Sequence, residues 1–238
     1  MMERLLDIKD AARLLNVSEV TIRRWTNAGK LKCYRVGGKR ERRFQLNDLK
    51  ELLNYSENCH LKPLGIEGQK VPDGSHMAHF YNRKEDAFRI TIPYMLEGIE
   101  AGETILSIMP PDRNEELVYK MEELGHPAGD WVRDGRLCLI TGMNSPEAMG
   151  RYLAEFTAKA NAVRVLGDMI WTVRNGWTPE AVGTYERAPS LMPPFKNGLF
   201  LCQYSLEDFI GTTIMMATEY HQQVIYKGRL QKSPYYNS

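Results

Sequence analysis

The chain has 238 residues, 43% hydrophobic and 26% charged, which is ordinary globular material with room for one large domain or for a small one beside a medium one. The formal net charge of +1 hides an asymmetry: before about residue 62 there are 14 Lys and Arg against 8 Asp and Glu, and after it 17 against 22, so a head of +6 precedes a body of −5. A basic head suits a polyanion and the acidic body does not. The four cysteines, Cys33, Cys59, Cys138 and Cys202, form no Cys-x-x-Cys pair and have no histidine at zinc-finger spacing. With neither a signal-peptide pattern nor an 18-residue apolar run, free thiols in a reducing cytoplasm and no membrane association are expected.

In chain order, Asp7 is a candidate cap for a first helix in which Ile8, Ala11, Ala12 and Leu15 recur at helical spacing. Asn16-Val17-Ser18 is a tight connection, with Ser18 suited to cap a second helix that Gly29 ends. That helix sets Ile22 and Trp25 inward and Arg23, Arg24 and Asn27 outward. Two short strand-like runs, 31–36 and 40–46, flank Gly37-Gly38 and predict a basic hairpin. Asn47 or Asp48 then caps a third helix with Leu49, Leu52 and Leu53 inward.

Residues 5–54 thereby resemble the winged helix-turn-helix of the MerR and excisionase families. The match is carried by Ala11-Ala12, by Ser18-x-x-Thr21-Ile22-Arg23-Arg24-Trp25, by Gly29-Lys30-Leu31, and by Arg42-Arg43-Phe44 followed by Asp48-Leu49. A recognition helix fits the major groove, where arginine bonds guanine bidentately and Thr or Asn reaches neighbouring edges. Ser18, Thr21, Arg23, Arg24 and Asn27 are the candidates there. Lys39, Arg40, Arg42 and Arg43 of the wing suit phosphate or the minor groove, unless Arg43 pairs with an acid inside the domain. The expected partner is double-stranded DNA, bound by a homodimer, because one short helix gives limited affinity and two half-sites multiply it.

The expected division is a DNA-binding domain over 1–55, a linker over 56–73 rich in Pro and Gly, and an α/β domain over 74–238. In the last, helical periodicity over 85–101 contains Pro93 as a kink. Apolar runs 104–109, 137–141, 163–167 and 198–202 read as buried strands, with helices at about 115–124, 146–162, 178–187 and 206–227. Strand and helix in turn predict a mainly parallel sheet covered on both faces.

This body resembles the MEDS domain, a sensory module named for methanogens, methylotrophs and the dichloromethane dehalogenase regulator. The resemblance rests on Gly74-x-His76-x-x-His79-Phe80-Tyr81, Gly98-Ile99-x-Ala101-Gly102-Glu103, Val165-x-Gly167-Asp168-Met169-x-Trp171, Leu201-Cys202-Gln203-Tyr204, His221 and Ser233-Pro234-Tyr235-Tyr236. Gln222 stands where a proline would follow the late histidine. The resemblance implies a fold related to RecA and KaiC ATPases and a role in sensing small organic compounds such as hydrocarbon derivatives. A phosphate-gripping loop is missing, since Ile105 to Met109 runs into Pro110-Pro111-Asp112, where prolines lack N–H donors and the acids repel phosphate. No nucleotide is expected.

In an open parallel sheet a ligand sits at the carboxyl ends of the strands. His76, Tyr81, Asp168, Trp171, Cys202, Tyr204 and His221 are the candidates for an effector site there. No metal site is expected; a metal or haem held through His76, Cys202 and His221 is the lesser alternative, because their separation in the chain leaves the geometry open. The whole reads as a one-component transcription regulator, not an enzyme, whose DNA binding answers to a small effector. The rivals are a DNA-tethered ATPase or transferase on a RecA-like core, and a DNA-binding scaffold without effector.

Overall fold

In the computed structural model, residues 5–38, 41–46, 48–49, 61–191 and 198–236 are described, those of 188–191 by backbone alone. They fall into two compact units, 1–60 and 61–238.

The first unit begins with α1 (Ile8–Leu14), capped by Asp7, whose carboxylate accepts from the Asp10 N–H at 2.8 Å. α2 (Glu19–Asn27) is capped in the same way by Ser18, whose hydroxyl accepts from the Thr21 N–H. Each cap satisfies an amide that would otherwise lack a partner, a contribution of about 1 kcal/mol. The reversal between the helices uses Asn16 at φ +51°, and Gly29 at φ +71° follows α2. Strands β1 (Tyr34–Val36) and β2 (Glu41–Arg43) pair antiparallel, Arg35 opposite Arg42. Leu6 and Phe44 exchange two backbone hydrogen bonds and tie the hairpin to the chain's beginning. Ala11, Ala12, Ile22, Leu31, Phe44 and Leu49 are buried and make one small core. Of the expected third helix only residues 46, 48 and 49 are described, and Leu49 is indeed inward; Leu52 and Leu53 lie outside the described residues, as do Lys39, Arg40 and Asn47.

The second unit opens with a hairpin, β3 (Leu61–Pro63) and β4 (Lys70–Pro72), in the span expected to be linker. The expectation fails over residues 61–73 because Leu64, Ile66 and Val71 are apolar enough to enter the main core, where each is at most 5% exposed. The prolines and glycines serve the turn: Gly65 takes φ +75°, and a Cβ there would meet the Pro93 carbonyl oxygen. Arg164 donates to the Pro63 carbonyl and holds the hairpin down.

The remaining elements are β5 (His76–Tyr81), α3 (Lys84–Glu100), β6 (Thr104–Ile108), α4 (Pro111–Glu123), α5 (Ala128–Arg133), β7 (Leu137–Ile140), α6 (Pro146–Lys159), β8 (Val163–Asp168), α7 (Ile170–Arg174), α8 (Pro179–Leu191), β9 (Gly198–Ser205), α9 (Gly211–Tyr220), β10 (Gln223–Tyr226) and β11 (Arg229–Lys232). Seven strands form one sheet in the order β11-β10-β5-β9-β8-β6-β7, parallel throughout except for the edge strand β11. The mainly parallel α/β body is as expected. The long last helix is not: residues 223–226 and 229–232 are a hairpin, and α9 stops at Tyr220. The helix α3 continues through Pro93.

Side chains alternate between two cores. Met77, Leu199 and Leu201 point to the face covered by α3, α4 and α5, while Ala78, Phe80, Cys202 and Tyr204 point to the face covered by α8 and α9. All six residues of β5 and all eight of β9 are buried, as strands covered on both faces must be.

Candidate functional site

On α2, Ile22 is buried, and at about 100° per residue the opposite side carries Val20, Arg23, Arg24 and Asn27, all exposed. Arg23 stands 3.6 Å from Glu19, whereas Arg24 has no side-chain ion pair among the described residues. Thr21 is tied to the cap, its hydroxyl 3.0 Å from that of Ser18. Arg42 donates to the Asn27 amide oxygen at 2.6 Å and links hairpin to helix. Arg43 donates to Glu41 at 2.7 Å, so the alternative of an internal pair for Arg43 describes it. Val20, 74% exposed between these polar groups, was passed over in the sequence; its phase, three, four and seven residues before Arg23, Arg24 and Asn27, was the available signal.

The seven effector candidates do not converge at one strand end. The first strand of the sheet is β5, not the run at 104–109, so His76, His79 and Tyr81 are parts of a central strand. The alternation of β5 then sends His76 to one face and His79 and Tyr81 to the other.

Tyr81 ends β5 and donates to Asp168 at 2.9 Å; Arg113 of α4 approaches the other carboxylate oxygen at 3.5 Å. Burial pushes the Asp168 carboxyl up from its ordinary value, against the pull of Arg113 and of the Tyr81 hydroxyl. Burial likewise raises the Tyr81 phenol. This polar group does lie at the carboxyl ends of β5 and β8. Beside it is a cavity of about 570 Å³ lined among others by Ile66, His79, Tyr81, Arg89, Ile90 and Tyr226. The connection from β5 to α3 is only Asn82-Arg83, shorter than a loop that wraps phosphate.

Trp171 belongs to neither site. It is 1% exposed, packs edge-on against Trp177 at 4.8 Å and Tyr185 at 6.1 Å, and fills the space over Gly142, where a Cβ would meet its ring at 2.2 Å.

His76, Cys202, Tyr204 and His221 gather in the middle of the other face, not at the strand ends. The sequence missed their centre, Glu186 of α8, which is 0% exposed. One carboxylate oxygen, Oε1, accepts from the Tyr204 hydroxyl at 2.7 Å. The other, Oε2, stands 3.3 Å from Nε2 of His76 and 3.3 Å from Nε2 of His221, yet neither line is aligned as a hydrogen bond, and Oε2 and the His221 Nε2 have no hydrogen-bond partner among the described residues. His76 Nε2 is also 3.4 Å from the Cys202 sulfur, and the two imidazole rings are 3.9 Å apart. Burial lowers His76 to about 4, reinforced by the neighbouring His221. Burial opposes ionisation of Glu186, but the imidazoles of His221 and His76 outweigh it and hold the carboxyl below its ordinary value. Burial, then Glu186, drives the Cys202 thiol well up. A lone Glu in an amphipathic helix gives no sequence signal of such a role; it becomes visible only when α8 packs across β5 and β9.

On the face of α3, His79 is a structural residue. Its Nδ1 accepts from the Gln203 side-chain amide at 2.9 Å, and that amide is oriented by Ala87 and Thr91.

A helix-turn-helix joined to a sensory α/β body is the architecture of a transcription regulator, and comparison with known proteins assigns both parts. Residues 5–54 match the family model of a helix-turn-helix domain, and residues 75–222 match that of MEDS, the methanogen/methylotroph, DcmR sensory domain. The chain belongs to the MEDS family. It is 29% identical over 240 residues to the transcriptional repressor DcmR of Methylorubrum extorquens, a match that takes in 92% of this chain and 91% of that protein. Among solved structures, a KaiC-like protein from the archaeon Pyrococcus horikoshii OT3 superposes with a TM-score of 0.55 at 15% identity, covering 71% of this chain and 81% of its own, a likeness of fold alone. Among the described residues no helix is long and apolar enough to cross a membrane.

Proposed function

We propose that the chain is a one-component regulator in which α2 reads an operator in the major groove and a small organic effector in the α/β body changes the affinity of that reading. The observation that carries the first half is the outward edge of α2: Arg24 has no competing ion pair among the described residues, Arg23 and Asn27 flank it, and Val20 offers an apolar contact suited to a thymine methyl. The hairpin β1–β2 serves as a wing of the MerR or excisionase kind, with Arg42 near phosphate and Arg43 held by Glu41. A homodimer places two such helices one helical turn of DNA apart.

The cavity beside Tyr81 is the effector site. Its volume of about 570 Å³ falls within the range of small-molecule pockets, and its wall of Ile66, Ile90 and Tyr226 with Asp86, Arg89 and Lys227 beside them suits a compact molecule that is part apolar and part polar. Of the seven candidates named from the sequence, Tyr81 lines it, and Asp168 orients Tyr81 from behind. Thermal shifts of the full chain against short alcohols, halogenated alkanes and nucleotides test this reading. A rise with one organic class, absent in Ile90→Trp, supports it. A flat response to every compound, or phosphate release from ATP, overturns it.

A further inference from the structure

The geometry points to a buried site for one divalent transition metal, zinc by its donors, held by Nε2 of His76, Oε2 of Glu186, the sulfur of Cys202 and Nε2 of His221. These four atoms come from β5, α8, β9 and the residue that ends α9, and all lie within 4.8 Å of one another. Bonds of about 2.0–2.3 Å in a tetrahedral zinc site put neighbouring ligand atoms about 3.3–3.7 Å apart. The separations of 3.3, 3.3 and 3.4 Å around Glu186 and His76 are of that size.

The protons argue for the same cation. Nδ1 of His221 lies 2.7 Å from the Ala217 carbonyl, which can only accept, so Nδ1 carries the hydrogen. In the neutral ring this turns the lone pair of Nε2 inward, towards an Oε2 that also offers only lone pairs. These two atoms, 3.3 Å apart, fully buried and without hydrogen-bond partners among the described residues, need either a proton on Nε2 or a metal ion between them, and a line not aligned as a hydrogen bond favours the ion. Histidine metal ligands commonly give their second N–H to a backbone carbonyl, as His221 does, and ligating carboxylates are commonly hydrogen-bonded on the free oxygen, as Tyr204 does for Glu186. The set of two imidazoles, one carboxylate and one thiol suits zinc and its transition-metal neighbours, and the sulfur disfavours magnesium and calcium. All four positions are filled from the chain, so the site is of the closed kind that ties elements together. On binding, the thiol proton of Cys202 leaves to solvent and the sulfur bonds the metal as thiolate, with no change of oxidation state.

This site lies apart from the cavity beside Tyr81 and does not depend on the regulatory reading. Cobalt(II) is the probe. Full-length protein, without a histidine tag and stripped by chelator, is titrated with Co²⁺ and then Zn²⁺, with far-ultraviolet circular dichroism and DNA binding followed on the same samples. The expected result is about one Co²⁺ per chain, visible bands of tetrahedral intensity and a near-ultraviolet thiolate-to-cobalt band, all abolished by Zn²⁺. Cys202→Ser loses the thiolate band. Tyr204→Phe, which removes only the support of Glu186, keeps every band and weakens binding by about 10- to 100-fold. A folded wild-type chain that takes up no Co²⁺, or that shows no thiolate band with it, overturns the site whatever the variants do. An unaltered thiolate band in Cys202→Ser overturns it too. Loss of DNA binding alone would count against the regulatory reading and leave the metal site standing.

Discussion

Replacing Arg24 with Ala tests the reading edge of α2 most sharply, because the structure lets the magnitude be worked out. Arg24 is exposed and has no side-chain ion pair among the described residues, so no such pair is lost with it there, and stability should change by less than about 0.5 kcal/mol. What is lost is a bidentate contact to a base, about 1–3 kcal/mol, or about 5- to 150-fold in Kd on the cognate duplex. Arg23 gives a built-in comparison. In free protein it is 3.6 Å from Glu19, both side chains largely in solvent, and must exchange that pair for DNA. An exposed helix pair of this kind is worth only about 0.3–0.5 kcal/mol, so Arg23→Ala should read slightly weaker for an equal contact. The assay is fluorescence anisotropy at one fixed salt concentration, with a duplex enriched from a random pool and a scrambled duplex of the same composition. Arg24→Ala should lose affinity for the first far more than for the second. An equal loss on both would show that Arg24 meets phosphate and that sequence is read elsewhere.

Arg42→Ala should weaken binding to every sequence and lower the salt slope by about one, as removal of a phosphate contact does; an unchanged slope would remove Arg42 from the backbone contacts. Since Arg42 also holds the Asn27 amide, its loss and that of Asn27→Ala should be less than additive in Kd, and strict additivity would deny the link. Arg164→Met should cost about 3–5 kcal/mol in urea unfolding, because it leaves the buried Glu103 carboxylate with Lys62 alone and releases the Pro63 and Tyr94 carbonyls; a loss below about 1 kcal/mol would contradict the anchoring of the β3–β4 hairpin. His79→Gln should flatten the acid limb of stability. Burial lowers the His79 value from 6.5 to about 4, so the unfolded chain takes up the proton first. The stability is full above about pH 6.5, falls by up to about 1.4 kcal/mol per pH unit as pH drops, and levels off below about pH 4, about 3 kcal/mol in all. Identical pH profiles for variant and wild type would contradict this.

The first unit was legible because each local signal agrees with its neighbours: Asp7 and Ser18 cap, Ile22 and Phe44 fill the core, and Gly29 and Gly37 take positive φ. The body was legible as a class and misread in parts. β5 escaped notice because His76 and His79 break the apolar run that marks a buried strand, although the fold buries both and gives each a polar neighbour. Residues 61–73 read as a linker because Pro and Gly outweigh three scattered apolar side chains whose burial only tertiary structure supplies. The effector candidates split because a period of two sends His76 and Tyr81 to opposite faces, and Glu186 was invisible because its partners stand more than a hundred residues before it or some tens after. The grouping of His76, Cys202 and His221, left open by their separation in the chain, is decided by the packing of β5, β9 and α9.

One binding measurement with the full chain tests effector-controlled DNA reading most directly. A duplex is first enriched from a random pool, and its Kd is then measured with and without a saturating amount of whichever organic compound stabilises the protein in the thermal panel. The expected result is an enriched operator with two related half-sites and a Kd that changes at least about fivefold with the compound, a coupling of about 1 kcal/mol. Failure to enrich any sequence, or a Kd that is the same with and without the compound, would contradict it.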